Sequence, residues 1–192
     1  SDMRINWSNS HTGDGVIVLI RENGSVNANP ADETVYADDP IYPNGSQIGT
    51  GNRVVYIGTG SNVTVTNLSP GSTYYVAVYA YGGSGTGQAG INYIQTSPAT
   101  ASQLIIGPPA LTTASSSNMQ TTTADLQITI FSDGGGTIFQ HGTTWLKDAP
   151  PGINDNRSTL GTYGGAIPGS FTDSRSGLPE ASLIYFQGYG EN

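Results

Sequence analysis

The sequence predicts an all-β chain folded as two tandem β-sandwiches. Three observations point there. Apolar and polar residues alternate with a period of two, and no window carries the 3.6-residue period of an amphipathic helix. Turn signals such as Asn-Gly, Asp-Gly and Gly-Ser recur at the spacing of roughly 8–12 residues that short-stranded sandwiches use. The pattern breaks once, at "IIGPPA", and then restarts. The break divides the chain into a first domain over 1–104, a stiff Gly-Pro-Pro connector over 105–110 and a second domain over 111–192.

Within the first domain, "RINWS" alternates, with Ile5 and Trp7 on one side and Arg4, Asn6 and Ser8 on the other. The continuous apolar run of "GVIVLIRENG" suits a central strand that ends in an Asn-Gly turn. Two shorter strands follow, "RVVYIGTG" and "NVTVTNL". The longest signal is "STYYVAVYAY", where Tyr75, Ala77, Tyr79 and Tyr81 alternate with Tyr74, Val76, Val78 and Ala80. "INYIQTSPAT" is expected to be one last strand, weakened by Pro98. In the second domain, "ADLQITIF" places Leu126, Ile128 and Ile130 on one face. "TIFQHGTTWLKD" is a strand carrying Trp145, "APPGINDNRSTLGTYGG" is a loop, and "GSFTDSRSGL" and "ASLIYFQGYG" are the last strands.

Composition narrows the function classes. With a net charge of −8 and Lys147 as the only lysine, the chain lacks the basic face that nucleic acid or an anionic membrane requires. The absence of cysteine excludes disulfides, thiolate metal sites and cysteine nucleophiles. No apolar run approaches the ~20 residues of a membrane-spanning helix, so membrane insertion is not expected. Six Lys and Arg residues in 192 offer few sites to trypsin-like proteases, which suits an extracellular or cell-surface location.

"NLSPGSTYYVAVYAY" contains Leu68, Pro70, Gly71 and Tyr74 in an L-x-P-G-x-x-Y pattern. It resembles the run into strand F of a fibronectin type III domain, an immunoglobulin-like sandwich. There the tyrosine packs its ring on the core and bonds its hydroxyl to nearby backbone. On that resemblance "MRINW" is similar to strand B, with Trp7 as the core tryptophan. Residues 3–100 look like a variant common in long secreted and surface proteins of gliding bacteria. The second domain resembles another module of those proteins more loosely: Leu178 matches Leu68, but Ile184 stands where the corner tyrosine would fall, and Pro179 and Glu180 replace a usual Thr-Pro pair. The resemblance implies that the first sandwich lacks strand A and the second lacks strand G.

Candidate chemistry is sparse. His11 and His141 belong to different domains, and the acidic residues lie in loops, so no catalytic set is expected. Cofactors are expected to be none. "HTGDGV", "ADETVYADDP" and "GINDNRST" are oxygen-rich enough to raise a structural calcium ion against ordinary polar turns, but none matches the D-x-[DN]-x-[DN]-G loop. Tyr75, Tyr79 and Tyr81 are expected to form a ladder on the outer sheet face: packing, a protein contact or a glycan-stacking surface. Leu183, Ile184, Tyr185 and Phe186 are expected to form an apolar edge that needs cover.

These readings favour a non-enzymatic structural or adhesive module, a segment or subunit of a large surface adhesin or extracellular filament. Its terminal strands would be completed by adjoining chain or by a neighbouring repeat or identical subunit. The alternative is an accessory spacer or glycan-binding module of a secreted polysaccharide-degrading enzyme.

Overall fold

The computed structural model describes residues 1–8, 13–83 and 90–192; His11 lies outside them. The described residues contain no helix, and every strand pairing is antiparallel. The chain forms two compact units, Ser1–Ile105 and Ile106–Asn192.

The first unit carries β1 (Met3–Asn6), β2 (Gly15–Glu22), β3 (Gln47–Ile48), β4 (Asn52–Gly58), β5 (Asn62–Val65), β6 (Thr73–Gly82), β7 (Asn92–Tyr93) and β8 (Ala99–Leu104). β1 pairs with β5; a larger sheet runs β3-β4-β2-β6-β7, with β8 also on β6. The β-branched run of β2 explains its central place. Val16 to Ile20 are all buried, because both sheet faces are covered. Val16, Val18, Ile20, Tyr74 and Val76 pack against Ile5, Val63 and Val65 of the small sheet. Ile17, Leu19, Val54, Ala77 and Tyr79 form a second core on the opposite face.

The segment between β2 and β3 supplies the cover for that second core, through Val26, Ala28 and Tyr36. It is fastened by polar side chains. Asn52, fully buried, donates from Nδ2 to Asn27 Oδ1 at 3.0 Å and to the Ile48 carbonyl at 2.7 Å. Tyr79 donates to Asn29 Oδ1 at 3.0 Å, and Tyr93 to the Thr34 carbonyl at 3.0 Å.

The expected outer tyrosine ladder is corrected here. The alternation holds, but the face is occupied by the chain itself. Tyr79 is 3% exposed, Tyr81 packs against the second core, and Tyr75 is half-buried. A second difference is at Pro98: the single strand expected over 91–100 is two strands, β7 and β8, with the proline between them.

The second unit carries β9 (Ala110–Ser117), β10 (Ala124–Ser132), β11 (Gln140–Lys147), β12 (Asn156–Arg157), β13 (Gly169–Arg175) and β14 (Ile184–Glu191). These form two three-stranded sheets, β13-β10-β9 and β12-β11-β14. Leu126, Ile128 and Ile130 are buried, as their alternation predicts. The connector is built into the units at both ends. Ile105 is buried in the first core, Gly107 donates to the Gly134 carbonyl at 2.9 Å, and Ala110 opens β9.

Candidate functional site

Tyr74 sits where the L-x-P-G-x-x-Y pattern puts it. Its ring is fully buried, and its hydroxyl accepts a hydrogen bond from the Ser69 amide at 3.0 Å. Leu68 is buried beneath the turn, and two residues carry the left-handed backbone that shapes it, Asn67 at φ 62° and Gly71 at φ 82°. Pro70 lies exposed in that turn. The Trp7 ring packs against the first core from its margin. It lies just beyond β1 at the rim, half-buried, tilted against Tyr56 at 5.2 Å and donating from Nε1 to the Gly60 carbonyl at 3.0 Å.

The second unit repeats the turn without the tyrosine. Leu178 is buried, Gly177 has φ 71° and Ala181 has φ 48°, each at the same spacing as Leu68, Asn67 and Gly71. Ile184, at the tyrosine's place, carries no hydroxyl to bond the turn backbone. Ala181, where the first unit has Gly71, holds a left-handed conformation that an L-residue with a Cβ resists. The strand beyond the turn is β14, and among the described residues it pairs with β11 alone. Trp145 on β11 stands opposite Phe186 on β14 and is half-buried.

The outer edge of β14 is apolar. Leu183 is 62% exposed and Tyr185 40% exposed, with Ile184 and Phe186 half-buried beside them. Behind this edge lies a cavity of about 470 Å³ lined by Leu126, Leu178, Ala181, Ile184 and Phe186, with Met119 at its wall. The two sheets close up further along the strand. At Gly188 a Cβ would come within 2.3 Å of Ile128 and 2.8 Å of Leu111, so only glycine fits. The cavity thus occupies the Ile184 end of the seam, where the sheets separate.

Several polar side chains of the second unit are engaged within its core. Asp173, 3% exposed, accepts from the hydroxyls of Thr143 and Ser158, and Arg175 Nη1 stands 3.3 Å from its other oxygen. His141 is buried with its Nδ1 2.7 Å from the Gly161 carbonyl and its ring edge-on to Phe171 at 4.6 Å. Sequence reading missed the Asp173 cluster. Its members are far apart in the chain, and "SFTDSR" looks like any polar strand.

Three of the acidic loop residues are occupied too. Asp32 accepts from the Tyr93 amide at 2.8 Å, Asp38 from Ile57 at 3.2 Å and Asp39 from Ile41 at 2.8 Å. Among the described residues, no three His, Cys, Asp or Glu side chains converge as a metal site. No protein-family model matches the chain, and no curated protein matches it in sequence.

Proposed function

We propose that the chain is a non-enzymatic structural or adhesive module of the extracellular or cell-surface space, a segment or subunit of a large adhesin or filament. Its architecture is read as two fibronectin type III-like sandwiches. The strand orders support this: β5-β1 opposite β4-β2-β6-β8 follows an E-B and C′-C-F-G arrangement, and β13-β10-β9 opposite β12-β11-β14 follows E-B-A and C′-C-F. In that reading the first sandwich is short of strand A and the second of strand G.

The observation that carries the functional reading is the free apolar edge of β14. A bare edge with Leu183 and Tyr185 on it is a pairing template, and soluble domains normally blunt such edges with charge, proline or cover. Adjoining chain, a neighbouring repeat or an identical subunit would cover it, and cover from a neighbour turns the liability into a joint. A joint of this head-to-tail kind does not close on itself, so it generates a line of units. The glycan-binding alternative loses its expected platform, because Tyr79 is buried under the β2–β3 segment.

Sedimentation of residues 1–192 tests the reading. The wild-type chain is expected to self-associate as concentration rises, and the double variant Leu183→Lys, Tyr185→Lys to stay monomeric. A wild-type chain that remains monomeric throughout, together with a native polypeptide that migrates alone at 19.9 kDa, would sink it.

A further inference from the structure

Asn-Gly-Ser occurs twice in the chain, at Asn23 and at Asn44. Glycine has no Cβ to hinder its backbone nitrogen, so an asparagine before it is the one most open to attack on its own side chain. The fold treats the two triplets differently. Asn23 is held at both ends of its amide: Nδ2 donates to Ser72 Oγ at 3.4 Å, and Oδ1 accepts from the Thr73 amide at 3.0 Å. Asn44 is exposed, and among the described residues no group bonds its side-chain amide or accepts from the Gly45 N–H. The related Asp-Gly pairs are held as well. Asp14 Oδ2 accepts from the Gly83 amide at 2.8 Å, and Asp133 Oδ1 from the Gly135 amide at 2.9 Å.

Packing fixes glycine at position 45, since a Cβ there would collide with the Val54 carbonyl. The backbone is anchored on either side. The Asn44 amide donates to the Ile41 carbonyl at 2.9 Å, the Ser46 amide to the Ala37 carbonyl at 2.8 Å, and the Val54 amide to the Ser46 carbonyl at 2.9 Å. Just upstream, Tyr42 sets its ring edge-on to Tyr74 at 5.3 Å, and its carbonyl accepts from Asn67 Nδ2 at 2.7 Å.

We propose that Asn44 is a self-modification site, where the folded chain loses ammonia. The Gly45 backbone nitrogen attacks Asn44 Cγ. The N–Cγ bond forms and the Cγ–Nδ2 bond breaks, and the amino group leaves as ammonia with the proton of the Gly45 amide. Water then opens the cyclic imide at either carbonyl, leaving an aspartyl or an isoaspartyl residue at position 44. Both products add a negative charge, and the isoaspartyl one also inserts a methylene into the backbone. That backbone has no slack, because Gly45 lies against Val54 and both flanking residues are bonded. Isoaspartyl formation therefore releases the turn from β4 and loosens Tyr42 from Tyr74, a one-way change in the first unit.

The test ages the full chain in mildly alkaline buffer and digests it with trypsin. The peptide spanning 22–53 carries both triplets, so fragment masses place the gain of about 1 Da at one or the other. In the folded chain Asn44 is expected to react at least about tenfold faster than Asn23, which must first break two hydrogen bonds. In chain unfolded by urea the identical triplets are expected to react at similar rates. Equal rates in the folded chain, or a folded chain that leaves Asn44 intact while the unfolded one reacts, would overturn the site. Hydrogen exchange at the Ser46 and Val54 amides reads the consequence. It is expected to quicken in the isoaspartyl fraction and to stay slow in an Asn44→Ala chain aged alongside. Unchanged protection in the isoaspartyl fraction would overturn the release of the turn.

Discussion

At the scale of single residues, the two corner turns are an internal experiment on one backbone with two solutions. In the first unit Tyr74 anchors the turn through the Ser69 amide, and glycine takes the left-handed position at Gly71. In the second, Ile184 provides no hydroxyl and Ala181 holds φ 48°. Tyr74→Phe is expected to destabilise the first unit by about 1–2 kcal/mol, because the Ser69 amide loses its acceptor in a partly buried place. Equilibrium denaturation should register that loss; an unchanged midpoint would show that water replaces the hydroxyl at no cost. Ala181→Gly should act in the opposite direction, stabilising the second unit by about 1 kcal/mol, since relief of the Cβ clash outweighs the extra chain entropy of glycine. A lowered melting temperature in that variant would contradict the account. The tyrosine corner was legible in the sequence because its residues are consecutive. Ala181 was not, because nothing in "PEASL" announces a positive φ.

At the scale of elements, hydrophobic strands were legible and small-residue strands were not. β2 and β6 carry long runs of Val, Ile, Leu and Tyr, so alternation or continuity found them. β8 and β9 are mostly Ala, Thr and Ser, whose pairing is set by backbone partners rather than by hydropathy. The β2–β3 segment hid for a related reason. It reads as a polar loop, yet it lays Val26, Ala28 and Tyr36 on the sheet and buries tyrosines expected to face outward. That cover has a signature in pH. Burial pushes the Tyr93 phenol up to about 12, helped by Tyr36, Tyr81 and Asp32 nearby. Burial likewise raises Tyr79, and it raises Tyr81 together with Tyr56 and Asp14. The folded state therefore keeps these protons more tightly than the unfolded chain, whose phenols ionise near about 10. Stability from this source is complete below that pH and is lost as pH climbs from about 10 toward about 12. Phenolate absorbance should rise in two phases, the later one coinciding with loss of β-type circular dichroism. A single reversible phase for all eleven tyrosines, with dichroism unchanged, would refute the buried ladder.

At the scale of the whole molecule, the two units are stabilised by different means. The first has aliphatic and aromatic cores on both faces of its large sheet. The second buries Thr143, Ser158 and Asp173 beside Leu126 and Ile128, and its seam is open at the Ile184 end. A fully buried aliphatic side chain contributes about 1.5–3 kcal/mol, whereas a satisfied neutral hydrogen bond nets about 1, so replacing one by the other weakens a core of equal size. The second unit is therefore expected to unfold first. In native-state hydrogen exchange over a denaturant series, β10, β11 and β14 should lose protection before β2 and β6. Removing the carboxylate with Asp173→Ala would leave two hydroxyls and Arg175 without their buried partner, and should lower the second unit alone by about 3 kcal/mol. Simultaneous loss of protection in all five strands would mean that the units unfold as one and would defeat the prediction.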